Sequence, residues 1–283
     1  MKKQFLLLCL AFIIILGASG QNNSIRVIVF GAHPDDCDLE AGGTAIKFVK
    51  MGCKVKFVSM TNGDAGHQSM GGGALAKRRI AEAQEAGRRF GVEYDVLDNH
   101  DGELMPTLEN RLKVIREIRN WKADIVITHP SNDYHPDHRY TSLLVQDASF
   151  MVLVPNVAPD TPPLQKNPVF LWSDYTDPDL AFDIDNVADQ KIYAASAHVS
   201  QFFEWLPWLD GTLARVPVGE QDRLKFMRSW LTPPNEAVRE CLKKWYGDQA
   251  ASEIKNAEAF KIADYSRKPD NEELLKLFPI LKQ

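Results

Sequence analysis

Cysteine is scarce in this chain of 283 residues: there are four, and Cys9 sits inside an N-terminal apolar run. The remaining three, Cys37, Cys53 and Cys241, allow at most one bridge and leave a free thiol, which excludes a disulfide-stapled scaffold. Cys37 reads as a small, partly buried residue rather than a metal ligand. Long apolar runs are as scarce. The run Phe5 to Leu16 is shorter than the roughly 20 apolar residues that span a bilayer. It follows Lys2 and Lys3 and precedes the small residues Ala18, Ser19 and Gly20. That is the layout of a secretory signal, so the expected mature protein begins near Gln21 and is exported, periplasmic or secreted, with no stable membrane span. A polybasic segment is missing too, and the formal net charge of −5 argues against nucleic acid as a partner. There is no internal repeat and no low-complexity tract.

What is present is an ordinary globular composition, 45% apolar and 25% charged. Roughly 260 residues after the signal suffice for one large domain with an elaborated C-terminal part. Ile25 to Phe30, Lys54 to Met60 and Asp124 to Thr128 read as buried strands, and Tyr94 to Leu97 as a weaker one. Helical patterns follow them over Leu39–Lys50, Ala74–Phe90, Leu108–Trp121 and Asp137–Phe150. This alternation predicts an α/β, Rossmann-like, mostly parallel sheet with helices on both faces. A proline-rich connection, 155–168, is expected to be irregular. Val169–Trp172 and Leu180–Ile184 read as short strands and Asn186–His198 as a helix. The part after Trp205 reads as a mostly helical elaboration, with helices over Glu220–Leu231, Glu236–Tyr246 and Ala251–Ile262. The predicted organisation is a signal at 1–20, a core at 21–204 and a C-terminal extension at 205–283 packed on it.

Ligands bind such sheets at the carboxyl ends of the strands, and two motifs lie there. Ala32-His33-Pro34-Asp35-Asp36 follows the first strand and His135-Pro136-Asp137-His138 follows the fourth. Imidazole nitrogen and carboxylate oxygen suit a borderline divalent ion, and three protein ligands leave a position open for water. Pro34 stiffens the first turn, so Asp35 and Asp36 are expected to point in different directions. We assign His33, Asp36 and His138 to the metal and Asp35 to the general base. His135 is placed toward the substrate, to stabilise an oxyanion or protonate the departing amine, and Asp137 is placed behind an imidazole.

With these motifs the chain resembles the PIG-L/LmbE-like deacetylases, zinc-dependent enzymes that act on N-acetylglucosamine-type amides. Further matches support the resemblance: Thr61 to Gly66 as a Thr-x-Gly-Asp-x-Gly loop, the helix positions Arg79, Glu82 and Ala86, and Asp101-Gly102 with Leu104. A late stretch matches through Lys191, Ala194 and His198 to Gln201. The likeness covers roughly 26–204. It implies Zn2+ on His33, Asp36 and His138, substrate contacts from Arg79 and Asp101, and His198 at or behind the site. The activity it implies is removal of an N-acetyl or similar acyl group from an amino sugar or related amide by attack of zinc-bound water. The expected partner is a small-molecule or glycan substrate, and self-association is left open. A carbohydrate-binding protein with a vestigial metal site is the alternative, and it requires a broken ligand set. Two features stay open: Trp172 with Trp205 and Trp208 as a sugar-stacking platform or as core, and His67 as a residue that closes over the site or as an ordinary loop residue.

Overall fold

The computed structural model describes residues 24–282, so the expected signal segment lies outside the described residues. The first half is a run of βα units. Its strands are β1 (Arg26–Gly31), β2 (Lys54–Ser59), β3 (Glu93–Val96) and β4 (Ile125–Thr128). They alternate with α1 (Asp36–Lys50), α2 (Gly72–Phe90), α3 (Leu108–Trp121) and α4 (Pro136–Met151). Then come β5 (Val169–Ser173), β6 (Leu180–Asp183), α5 (Ala188–Ala195), a π-helical turn at Gln201–Trp205 and α6 (Leu206–Leu209). The chain ends with α7 (Glu220–Arg228), α8 (Glu236–Tyr246), α9 (Asp248–Glu253), β7 (Ala257–Ile262) and α10 (Asn271–Leu277). No helix among the described residues is long and apolar enough to cross a membrane.

The strands form one sheet in the order β3-β2-β1-β4-β5-β7-β6. Strands β3 through β5 are parallel, and β7 runs antiparallel to both of its neighbours. Alternation along each central strand supplies both faces. Val27 and Val29 of β1 and Ile125 and Ile127 of β4 pack with Ala41, Ala45 and Phe48 of α1 and Ile192 of α5. Ile28, Phe30 and Val126 point the other way, onto Val114, Ile115 and Ile118 of α3 and Leu144 and Val145 of α4. Strand order reverses between β1 and β4, so the loops leaving their carboxyl ends diverge and open a crevice there.

One expectation is corrected. Ala251–Ile262 is not a helix: α9 ends at Glu253 and Ala257–Ile262 is strand β7, inserted between β5 and β6. Ala, Glu and Lys in that stretch favour a helix locally, but tertiary pairing overrides the preference. Pairing with β5 and β6 buries Ala259 and Phe260 completely, and the Glu258 carboxylate is received by the Gly43 and Thr44 amides at 2.8 and 2.7 Å and by Lys191 Nζ at 2.6 Å. The segment after 204 thus supplies one of the sheet's own strands. The proline-rich connection is irregular but not loose. Arg119, 2% exposed, donates to the carbonyls of Met151, Val152, Val154, Val157, Ala158 and Thr161 at 2.6 to 3.1 Å.

Candidate metal centre and active site

The two motifs meet over the β1/β4 crevice, and backbone chemistry explains how. Ser59 Oγ and Thr61 Oγ1 donate to the Ala32 carbonyl at 3.2 and 2.8 Å, fixing the exit from β1. The Ala32 amide donates to His129 Nε2 at 2.9 Å, which ties that exit to the residue following β4. The amides of Asp35 and Asp36 then turn back onto the His33 carbonyl at 2.8 and 3.2 Å, and α1 begins. Asp35 stands at the N-cap but makes no capping bond. Its Oδ1 accepts instead from Arg79 Nη2 at 2.8 Å, while Asp36 Oδ2 accepts the His33 amide at 2.7 Å. The adjacent carboxylates therefore diverge. On the other loop, His135 caps α4, its Nδ1 accepting the Asp137 amide at 3.2 Å, and Pro136 occupies the first turn where no amide is needed.

His33, His135 and His138 converge, with ring centroids 4.6, 5.3 and 5.1 Å apart pairwise. His33 Nδ1 and His138 Nε2 stand 3.4 and 3.5 Å from Asp36 Oδ2 without donating to it. A tetrahedral ion with bonds of about 2.0–2.2 Å holds neighbouring ligand atoms roughly 3.3–3.5 Å apart. Each of these imidazoles thus lies at coordination spacing from the Asp36 carboxylate, and nitrogen with carboxylate oxygen fits zinc; the groups whose ligand atoms all lie within 4.8 Å of one another are His33/His135/His138, Asp36/His129/His138 and His33/Asp101/Asp137. The far side of each ring is backed by an acid. His33 Nε2 lies 3.1 Å from Asp101 Oδ1 and 3.3 Å from Asp137 Oδ2, and His138 Nδ1 lies 3.1 Å from Asp133 Oδ1. Carboxylates in that position set the tautomer and aim of a ligating imidazole. Asp137 is fully buried and also accepts the Gly102 and Leu104 amides at 2.7 and 3.2 Å, so one carboxylate orients His33 and anchors the Asp101 segment.

Charge states follow from these contacts. Burial pushes the Asp35 carboxyl up, against the pull of the Arg79 guanidinium. Burial also opposes ionisation of Asp36, but the His129 and His33 imidazoles beside its carboxylate outweigh burial and hold its carboxyl well below the usual range. Burial with the neighbouring His33 and His138 pushes His135 down, so it is neutral at neutral pH. Because its Nδ1 accepts the Asp137 amide, its proton sits on Nε2.

His129 was not assigned a role from sequence. It is fully buried, stacks on His138 with centroids 4.0 Å apart and planes at 10°, and places Nδ1 2.6 Å from Glu40 Oε1. Its Nε2 is taken by the Ala32 amide, so it supports the donor set rather than joining it. The available signal was positional: it is the first residue after β4, as Ala32 is after β1.

Arg79, for which the resemblance implies a substrate contact, is buried. It is 2% exposed and lies beneath the site, bridging Asp35 to Asp101, whose Oδ2 is 3.5 Å from Nη1, and donating to the Gly63 carbonyl at 3.1 Å. The guanidinium fits because Gly63, at φ +69°, has no side chain: a Cβ there would lie 2.5 Å from Arg79 Nη1. Asp101, nearly buried, spends its two oxygens on His33 and Arg79. His198 is fully buried behind α1, with Nε2 2.9 Å from Asp38 Oδ1, and Tyr94 donates to the other oxygen of that acid at 3.0 Å. His67 is pinned by Glu204, 2.8 Å from its Nε2, and Arg78 clamps the same carboxylate. Trp172 packs on Tyr265, and Trp205 and Trp208 stack on each other with centroids 5.3 Å apart.

A doubly wound sheet with a His/Asp donor cluster at the switch between β1 and β4 defines an α/β enzyme with a candidate metal centre. Residues 28–149 match the family model described as PIG-L, GlcNAc-PI de-N-acetylase. Over 204 residues the chain is 31% identical to a diacetylchitobiose deacetylase of Thermococcus kodakarensis, covering 66% of this chain and 76% of the relative. The chain belongs to the PIG-L family of deacetylases. The N,N'-diacetylchitobiose deacetylase of Pyrococcus horikoshii superposes with a TM-score of 0.66 at 24% identity, covering 89% of each chain. The hydratase GalB of Pseudomonas putida superposes equally well, TM-score 0.66, at 18% identity, over 87% of this chain and 99% of that one. The fold therefore hosts more than one reaction, and chemistry has to be argued from the site.

Proposed function

We propose that this protein is an exported, zinc-dependent N-deacetylase that hydrolyses the acetamide, or a similar amide, of an amino sugar. The observation that carries the reading is the spacing of His33 Nδ1 and His138 Nε2 around Asp36 Oδ2, 3.4 and 3.5 Å, with the Asp35 carboxylate in the same turn. These three residues would hold the ion. When bound, zinc supplies a Lewis acid that polarises a carbonyl and acidifies water. Asp35 receives the proton of the attacking water: Arg79 fixes its Oδ1, leaving Oδ2 to accept, and burial raises its basicity. His135 presents an Nε2 proton to the oxygen that gains charge as the carbonyl carbon becomes tetrahedral. Both α1 and α4 begin at the site, and their N-terminal amides favour negative charge there. The names of the relatives, deacetylases of N-acetylated sugars, support an amino-sugar substrate. The leader at 1–20 supports export, toward glycans or acylated small molecules outside the cytoplasm. A vestigial, binding-only site has no missing donor to rest on.

The test is metal analysis combined with free-amine release from a panel of N-acetylated sugars. About one zinc per chain and release that drops at least about a hundredfold in Asp35→Ala are expected. Zinc-loaded protein that releases no amine from any sugar in the panel overturns the reading.

A further inference from the structure

Trp205 and Trp208 take no part in the chemistry above, yet they stand beside it. Trp205 closes the π-helical turn Gln201–Trp205, and a π turn re-aims the side chains that follow it. The turn is docked on the loop leaving β2, with Gln201 Nε2 donating to the Gly66 carbonyl at 3.1 Å. Gly66 is a meeting point. A Cβ built there would lie 3.0 Å from Arg79 Nη1, 3.2 Å from Asp101 Oδ2 and 3.7 Å from Trp205 Nε1. Trp205 thus touches the same small patch of backbone as the two residues that support Asp35 and His33. Trp208 lies nearly parallel to Trp205, with planes at 14°, and is left 48% exposed. Of the tryptophans only Trp208 is exposed; Trp121 is buried and Trp172, Trp205, Trp230 and Trp245 are partly buried, so an indole held parallel to another and open to solvent stands apart here. The turn is also held from below, because Glu204 is fixed by Arg78 and His67. The pair is therefore a rigid, flat, apolar surface with a polar indole edge, joined through Gly66 to the Asp101 side of the site.

We infer that the Trp205–Trp208 pair is a distal subsite that stacks a second sugar ring, the one joined to the amino sugar whose amide is cleaved. The apolar face of a pyranose lies flat on an indole, and Trp205 Nε1 offers a donor to a hydroxyl at its edge. The inference rests on the amino-sugar reading above and narrows it: the preferred substrate is an N-acetylated oligosaccharide of at least two rings rather than a free monosaccharide.

The test compares amine release from N-acetylglucosamine and from its β-linked di- and trisaccharides in the wild type, Trp208→Ala and Trp208→Phe, with calorimetric binding of the disaccharide alongside. Expected is a roughly tenfold fall in kcat/KM for the disaccharide relative to the monosaccharide in Trp208→Ala, largely restored in Trp208→Phe, with a matching rise in Kd. Equal effects on both sugars, or none, overturn the inference. It is also overturned if Trp208→Ala only abolishes self-association in sedimentation while the sugar ratio stays the same, because the pair then joins two copies of the chain. If the wild type releases no amine from any sugar, the deacetylase reading fails separately and the subsite is judged on calorimetry. Disaccharide binding lost in Trp208→Ala then supports it, and no disaccharide binding to the wild type overturns it.

Discussion

Arg79 Nη2 donates to Asp35 Oδ1 at 2.8 Å from a position that is 2% exposed, so the proposed base is held from beneath by a cation that solvent does not reach. The same guanidinium faces Asp101, which backs His33. One buried side chain thus couples the base loop to the support of a candidate ligand.

Removing that cation takes away the attraction that opposes burial, and the Asp35 carboxyl then rises further. A base works in its ionised form, so the acidic limb of the kcat profile moves to higher pH in Arg79→Met, and the shift is smaller in Arg79→Lys. Arg79→Met also leaves the buried Asp35 without its ion-pair partner, which costs about 3–5 kcal/mol of stability. A pH–rate profile with parallel urea titrations checks both; an unmoved acidic limb in Arg79→Met contradicts the coupling.

His138 and His129 stack on each other but play different parts. His138→Ala is expected to bring zinc stoichiometry close to zero after dialysis. In His129→Asn the metal remains but binds about 10- to 100-fold more weakly, as removal of a supporting group does. Competition with a fluorescent chelator measures both, and equal losses would place His129 among the ligands.

Metal affinity has a definite pH sign. Burial lowers the pKa of His33, but Asp101, Asp137 and Asp36 outweigh it and raise it well above its usual value in the metal-free protein. A proton on His33 competes with the ion, so zinc binding tightens as pH rises through neutrality and releases protons. Calorimetry in buffers of different ionisation enthalpy counts them. Affinity that is flat between about pH 6 and 8 would mean that His33 is not protonated before binding.

Arg119 serves stability and not the site. Six carbonyls around the proline-rich connection accept from it, so Arg119→Met strands them and is expected to cost about 3 kcal/mol or more. Below the lowered melting temperature, kcat stays near wild type. Thermal melts and initial rates on the same samples separate the two effects.

Much of the candidate site was legible because its candidate donors lie on two short motifs directly after buried strands, and parallel connectivity brings the ends of β1 and β4 to one edge. What escaped did so for physical reasons. His129 stands alone, and its worth depends on the Ala32 amide and Glu40, residues 97 and 89 positions away in the chain. Arg79 on a mostly charged helix looks solvent-facing until Gly63 and Gly66 make room for it. Ala257–Ile262 has helical composition and becomes a strand because β5 and β6 present open edges on either side of it.

By itself the sequence determined the βα alternation, the two metal-type motifs and their places at strand ends, since apolar periodicity and Gly/Pro punctuation are local properties. Tertiary structure alone decided which acids face which imidazoles, that Arg79 is buried under Asp35, and that the last strand enters the middle of one half of the sheet. Those outcomes depend on which side chains find partners when water is excluded, and no window of neighbouring residues contains that information.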